Sequence, residues 1–192
     1  MSDRKTRDQI IEAADQLFYR QGFEHTSFTD IANAMKISRG NFYYHFKTKD
    51  EILDAVLGLR LVNTRKMLAQ WELESESPAE RIRSFIHALI TDRKKIMRHG
   101  CPVGTLCLEL AKLEHGSQGG ANRLFTLFRT WLRRQFERLG REKDADDLAM
   151  HLLARSQGVA VLMNTFHDKR FVEQEVGRMD AWLGSVAAAA AR

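Results

Sequence analysis

Between Ile31 and Lys49 the chain carries Lys36, Arg39, Lys47 and Lys49 and no acidic residue at all. Residues 1–60 as a whole hold nine Lys/Arg against nine Asp/Glu, so this is a basic patch inside a neutral region. Within the patch stands Arg39-Gly40-Asn41-Phe42-Tyr43-Tyr44-His45-Phe46. On a helix, at about 100° per residue, Phe42 and Phe46 share one side and anchor an inner face. Tyr43, Gly40, Tyr44 and Asn41 fall on the other arc, with Arg39 and His45 flanking it. That chemistry suits a helix entering a DNA groove. An asparagine can read an adenine edge with two hydrogen bonds, and an arginine at the helix start can read guanine or hold phosphate. Tyrosine hydroxyls and the Lys49 ammonium suit phosphate oxygens, which fix register rather than sequence. Gly40 has no side chain to hold the helix away from the groove wall. Either tyrosine alone could rest against the first helix. Two adjacent ones point about 100° apart and cannot both be core.

A second reactive stretch is His99-Gly100-Cys101-Pro102-Val103-Gly104-Thr105-Leu106-Cys107. Cys101 precedes a proline able to open a helix, where the dipole favours a thiolate, and Lys94, Lys95, Arg98 and His99 lie just upstream. Cys101 is therefore a candidate redox or electrophile-sensing residue, the alternative being that both cysteines pack as small hydrophobes. Six residues within one helix put Cys101 and Cys107 on different faces, about 9 Å apart along the axis, too far for a disulfide. His99, Cys101, Cys107 and His115 have no recognised zinc spacing, so no metal is expected. His25, His87, His151 and His167 stand alone, and no P-loop, G-x-S-x-G, H-E-x-x-H or dinucleotide fingerprint occurs. No enzyme and no cofactor are expected.

These residues need helices to position them. Ile10, Ile11, Ala14, Leu17 and Phe18 predict a first helix over about 6–21, stopped by Gly22. Ser27-Phe28-Thr29-Asp30 resembles a capping box opening a short second helix. Lys36-Ile37-Ser38 is a tight turn, with Ser38 placed to cap a third helix over about 39–46. The pair has helix-turn-helix dimensions. Lys47-Thr48-Lys49-Asp50 opens a long fourth helix. Helices are then predicted over about 78–99, from Pro102 onward, and over 122–139, with 116–120 as a loop. In the eighth, Leu148, Leu152, Arg155, Val159, Leu162 and Phe166 step by 4, 3, 4, 3 and 4, and in the ninth Val172, Val176, Met179, Leu183 and Val186 step by 4, 3, 4 and 3. That is the spacing of a bundle seam.

Composition agrees. The chain has 192 residues, 44% of them hydrophobic, with 12 glycines and 2 prolines, which leaves little room for a many-turned β architecture. The fold expected is all-α, about nine helices, with a helix-turn-helix domain over 1–48 and an antiparallel helical bundle for ligand binding and dimerisation over 49–192. The net charge of +5 permits an acidic partner. MSDRKTRDQIIEAA has no uninterrupted apolar stretch of a secretory signal, and no run approaches a membrane span. The expected location is the reducing cytoplasm, without membrane attachment.

Gly22-Phe23, Thr26-Ser27-Phe28-Thr29-Asp30-Ile31-Ala32 and Ile37 through Asp50 together resemble the N-terminal signature of the TetR/AcrR family of transcriptional regulators. The resemblance covers about residues 6–57. It implies DNA contacts at Thr26, Ser27, Thr29, Arg39, Gly40, Asn41, Tyr43, Tyr44, His45 and Lys49. It departs from the family at Asn41-Phe42, where many members carry a small residue or threonine followed by leucine. It further implies a variable, all-helical C-terminal half that binds a small-molecule effector, and a homodimer made through the last two helices. Leu148, Leu152, Val159, Leu162, Phe166, Val172, Val176, Met179, Leu183 and Val186 are the dimer candidates. Phe85, Leu89, Cys107, Phe128, Trp131, Met163 and Phe166 are the apolar candidates for an effector pocket. The expected partner is a palindromic double-stranded operator, since two-fold dimers read paired half-sites. The competing reading is a helical protein-binding module that does not bind DNA.

Overall fold

The computed structural model describes residues 2–190, with the side chains of Ser2, Asp3, Arg4 and Arg39 excepted. Among the described residues there are ten helices and no strand. Among the same residues no helix is long and apolar enough to cross a membrane. The chain forms two compact units, residues 1–63 with 102–124, and residues 64–101 with 125–192.

In the first unit α1 (Ser2–Gln21) buries Ile10, Ala14 and Phe18, and it begins four residues before the periodicity predicts. Gly22, at φ 90°, ends it as expected. The Ser27 hydroxyl accepts the Asp30 N–H, the Asp30 carboxylate accepts the Ser27 N–H, and α2 (Phe28–Met35) starts from that capping box. Lys36 closes α2 in the left-handed conformation, its N–H turned back to Ala32 and Asn33. A lysine there is strained relative to glycine. Ser38 caps α3 (Arg39–His45) through the Asn41 N–H at 3.3 Å. Thr48 accepts the Glu51 N–H and Glu51 accepts the Lys47 N–H, which opens α4 (Lys49–Glu74). Ile52, Leu53, Val56 and Leu57 of α4 are buried.

The same unit contains α7 (Gly104–Lys112) and the start of α8 (Gln118–Arg138). Pro102 does not open α7; it lies in a turn, and the helix starts two residues later. The stretch predicted as a loop is helical from Gln118. Gly119-Gly120 resembles a breaker in sequence, but Gly120 is there for close approach: a Cβ on it would stand 3.0 Å from Leu57 Cδ1.

In the second unit the segment predicted as one helix over 78–99 is two, α5 (Pro78–Thr91) and α6 (Arg93–His99), divided at Asp92. The apolar phase runs on from Ile82, Ile86 and Leu89 to Ile96, so periodicity alone does not reveal the break. Thr91-Asp92 are weak helix formers whose side chains compete for the backbone. The unit is completed by the rest of α8, α9 (Ala145–Phe166) and α10 (Lys169–Ala190), the last capped by Asp168, which accepts the Arg170 and Phe171 N–H groups. The α10 stripe, Val172, Val176, Met179, Leu183 and Val186, is buried in the unit's own core, where α10 packs on α5. Arg155 and Arg178 hold the Glu175 carboxylate between them.

Candidate nucleic-acid interface

The inner face of α3 is fixed by Phe42 and Phe46, both fully buried. The Phe28 ring of α2 lies 5.1 Å from Phe42 and meets Tyr43 edge-on at 5.4 Å. With those anchors in place the opposite arc faces solvent. Tyr44 is 68% exposed and Tyr43 46%, and Asn41 and Gly40 are exposed too. Nothing lies within 4 Å of a Cβ built on Gly40. His45 is half-buried, its ring edge-on to Tyr44 at 5.2 Å. The Arg39 side chain falls outside the described residues.

Charge frames the arc. Lys47 is exposed and its ammonium donates to the Tyr43 carbonyl. The Arg7 guanidinium sits over the Phe46 ring, 4.7 Å from its centre. Arg7, unlike Lys47, has no sequence signal pointing to this corner, because only the packing of α1 brings it there.

Two of the expected contacts have their side chains in the α1–α2 turn. Thr26 is 1% exposed, and its hydroxyl donates to the Gly22 carbonyl at 2.6 Å. It builds the turn between α1 and α2 and has no surface to offer. Lys49 is half-buried, its ammonium 4.3 Å from the Phe23 ring centre and donating to the Glu24 carbonyl at 3.0 Å. That ammonium helps to close the same turn. Ser27 is exposed but committed to capping, and Thr29 is half-buried in the first turn of α2.

The unit is tied to its C-terminal segment by charge. The Glu109 carboxylate of α7 accepts the Phe23 N–H at 3.0 Å and the Glu24 N–H at 2.9 Å. A Cβ on Gly22 would stand 2.9 Å from the same carboxylate. His115 accepts the Ser117 N–H on Nδ1 and reaches Asp50 at 3.3 Å through Nε2, while its ring meets Phe23 edge-on. Arg60, nearly buried, bonds both Asp15 of α1 and the Pro102 carbonyl. None of these residues has a sequence pattern of its own: Glu109, Asp15 and Arg60 are lone polar groups in helices, and His115 lies in the connection between α7 and α8.

The sequence pattern described as bacterial regulatory proteins of the tetR family matches residues 10–56. That of the LmrA/YxaF-like transcriptional regulator C-terminal domain matches residues 78–175, which is more than half of the chain. The chain belongs to the TetR family of bacterial transcriptional regulators. It is 32% identical over 125 residues to an HTH-type transcriptional regulator in the lacX 3′ region of Lactococcus lactis, 64% of each chain. It is 23% identical over 184 residues to the HTH-type transcriptional repressor DhaR of a Mycobacterium, covering 91% of this chain and 90% of that one. A TetR transcriptional regulator from Legionella pneumophila superposes with a TM-score of 0.79 at 25% identity, covering 92% and 96% of the two chains.

The other expected sites of this TetR-family chain are less evenly placed. Phe85, Leu89, Phe128, Trp131 and Met163 share one cluster in the second unit, with Phe85 and Phe128 rings 5.7 Å apart. Cys107 is buried in the first unit instead, and Phe166 is 68% exposed, so neither lines that cluster. Sequence reasoning missed the polar groups beside it. Glu72 accepts from the Trp131 indole at 2.9 Å and from fully buried Gln135 at 3.1 Å, and Arg81 donates to Gln135, to the Glu72 carbonyl and to the Ser75 carbonyl. Of the dimer candidates, Leu152, Val159 and the five of α10 are inside the unit and Leu148 is half-buried; only Leu162 and Phe166 are on the surface. Cys101 is half-buried against the second unit's core, three positions before the first residue of α7.

Proposed function

We propose that the protein is a homodimeric repressor that holds a palindromic double-stranded operator with α3 and is released by a small-molecule effector. The observation that carries this reading is the solvent-facing arc of α3, with an amide, two phenols and a glycine opposite a locked phenylalanine pair. Residues 1–48 would act on DNA and residues 49–192 on the effector and the partner subunit. The repressor named DhaR, similar along nearly the whole chain, supports the sign of regulation.

The dimer surface proposed is the outward face of α9 with that of α10. On α9, Met150, Ala154, Gly158, Val161, Leu162 and Phe166 form one exposed arc, and four large apolar side chains there are unusual on a lone subunit. Gly177, Ala181, Gly184 and Ala188 give α10 a low outer face at steps of 4, 3 and 4, which lets a second helix approach closely. The apolar cluster around Phe85 and Trp131, with Glu72 and Gln135 beside it, is the proposed effector region. An effector releases DNA only by binding the released state better than the bound one.

The deciding experiment is binding to duplex DNA taken from immediately around the protein's own gene, over a range of salt. Sequence-dependent retention that weakens steeply with salt supports the reading. A protein-docking module would show neither. A second reading, release by electrophile attack on Cys101, is favoured by its partial exposure, whereas Cys107 is buried. Alkylation that releases DNA from the native protein but not from Cys101→Ser would establish it.

A further inference from the structure

We propose that the outward face of α6 and the α9–α10 turn form a second duplex-DNA surface, one that grips the phosphate backbone. This rests on the reading of α3 as a DNA-binding helix. The first observation is where the charge lies. Residues 1–60, which contain α3, are neutral, so the entire net charge of +5 falls after them.

Part of that charge is concentrated on α6. Ile96 is buried, and the arc opposite it holds Lys94, Lys95 and Arg98, all exposed. The face is held in place: the Asn164 side chain donates to the carbonyls of Ile96 at 3.3 Å and Met97 at 2.9 Å, and Arg93 pairs with Glu173 of α10. Those contacts lay α6 along the α9–α10 turn, where His167, Lys169 and Arg170 are exposed. The acids of this corner are already engaged. Asp168 is occupied by two backbone N–H groups, Glu173 faces Arg93, and Asp92 lies 3.7 Å from Lys95. Among the described residues no carboxylate pairs with Lys94 or Arg98.

The placement of the two lysines runs against the stability of the helix. Lys94 and Lys95 occupy the first turn of α6, which contains no acid, and cations there oppose the helix dipole. A local rule broken without a packing gain points to use by a partner. Flexible ammonium groups suit phosphate oxygens, contacts that add affinity and register but read no bases. Duplex DNA is the polyanion already proposed for α3.

The test uses the full-length protein and a duplex from around its gene, trimmed to the protected core or extended by about ten base pairs on each side, one helical turn. The wild type should show a steeper dependence of log K on log salt with the extended duplex. K94Q/K95Q/R98Q should lose that excess, its slope shallower by about 2.7 per protomer, while the core duplex binds unchanged. K169Q/R170Q should shift the slope the same way by a smaller amount, and circular dichroism should match the wild type for both. Equal wild-type slopes on the two lengths overturn the proposal, as does a K94Q/K95Q/R98Q slope equal to that of the wild type. Retention on poly-glutamate lost by the triple variant with its DNA slope unchanged would assign the face to an acidic protein instead. Failure of the wild type to bind any duplex would remove the α3 reading as well, a result distinct from the others.

Discussion

On α3, Asn41 and Tyr44 divide the work by chemistry. Asn41→Ala should relax base preference at one position per half-site by about 1–3 kcal/mol, since an amide can pair with a base edge. Tyr44→Ala should lower affinity for every sequence together, because a phenol on phosphate carries no base information. A binding-site selection on both variants separates the two outcomes. Ser27 is a matter of stability. Its hydroxyl, and then its backbone N–H, hold the Asp30 carboxyl below the usual carboxylate range. A depressed folded value stabilises above the unfolded one, about 3.9, and that contribution disappears as pH falls through the folded value. Ser27→Ala should therefore lower the urea midpoint at pH 7, with the gap to wild type narrowing below about pH 4. At this scale the sequence showed which residues face outward on α3, because Phe42 and Phe46 fix the phase. It did not show that Thr26 and Lys49 are occupied, because a hydroxyl aimed at the Gly22 carbonyl and an ammonium on the Phe23 ring depend on how the α1–α2 turn closes.

Between elements, the Glu109 carboxylate on the Phe23 and Glu24 N–H groups is the contact by which α7 holds the turn leading into α2. Glu109→Gln keeps one acceptor oxygen and should expose one of those amides to faster hydrogen exchange, while Glu109→Ala should free both. Gly22→Ala meets two obstacles, a φ of 90° and a 2.9 Å approach to Glu109, and should cost more than about 1 kcal/mol in a denaturant melt. A Gly22→Ala protein as stable as the wild type would show that the turn is not held this way. The helices were legible wherever periodicity and a cap agreed, as at Ser27, Ser38 and Pro78. They were misjudged where two signals disagreed. The apolar phase runs straight through the break at Asp92, and Gly119-Gly120 is helical, with Gly120 close against Leu57, rather than a loop.

At the scale of the whole molecule, the α10 stripe and the α9 arc make opposite predictions. Met179 is fully buried in its own subunit, so Met179→Asp should unfold the C-terminal unit instead of yielding folded monomers. Val161→Asp with Phe166→Asp changes only exposed positions and should leave thermal stability close to wild type at subunit-dissociating concentrations while sedimentation shifts to the monomer. Dimers that persist in the double variant would place the interface elsewhere. The heptad stripe of α10 is buried throughout, while that of α9 comes to the surface at Leu162 and Phe166, and spacing cannot say whether the facing helix is α5 of the same chain or a neighbour's. One feature of the fold also bears on synthesis. The unit that presents α3 is assembled from residues 1–63 and 102–124, and its α1–α2 turn is held by a carboxylate 85 positions downstream. When Asn63 leaves the ribosome, Glu109 and His115 do not yet exist. The roughly sixty residues still to come occupy about 3–12 s of elongation, during which Phe23 and the amides behind it wait in water, a window for chaperones and proteases that a contiguous N-terminal domain would not open.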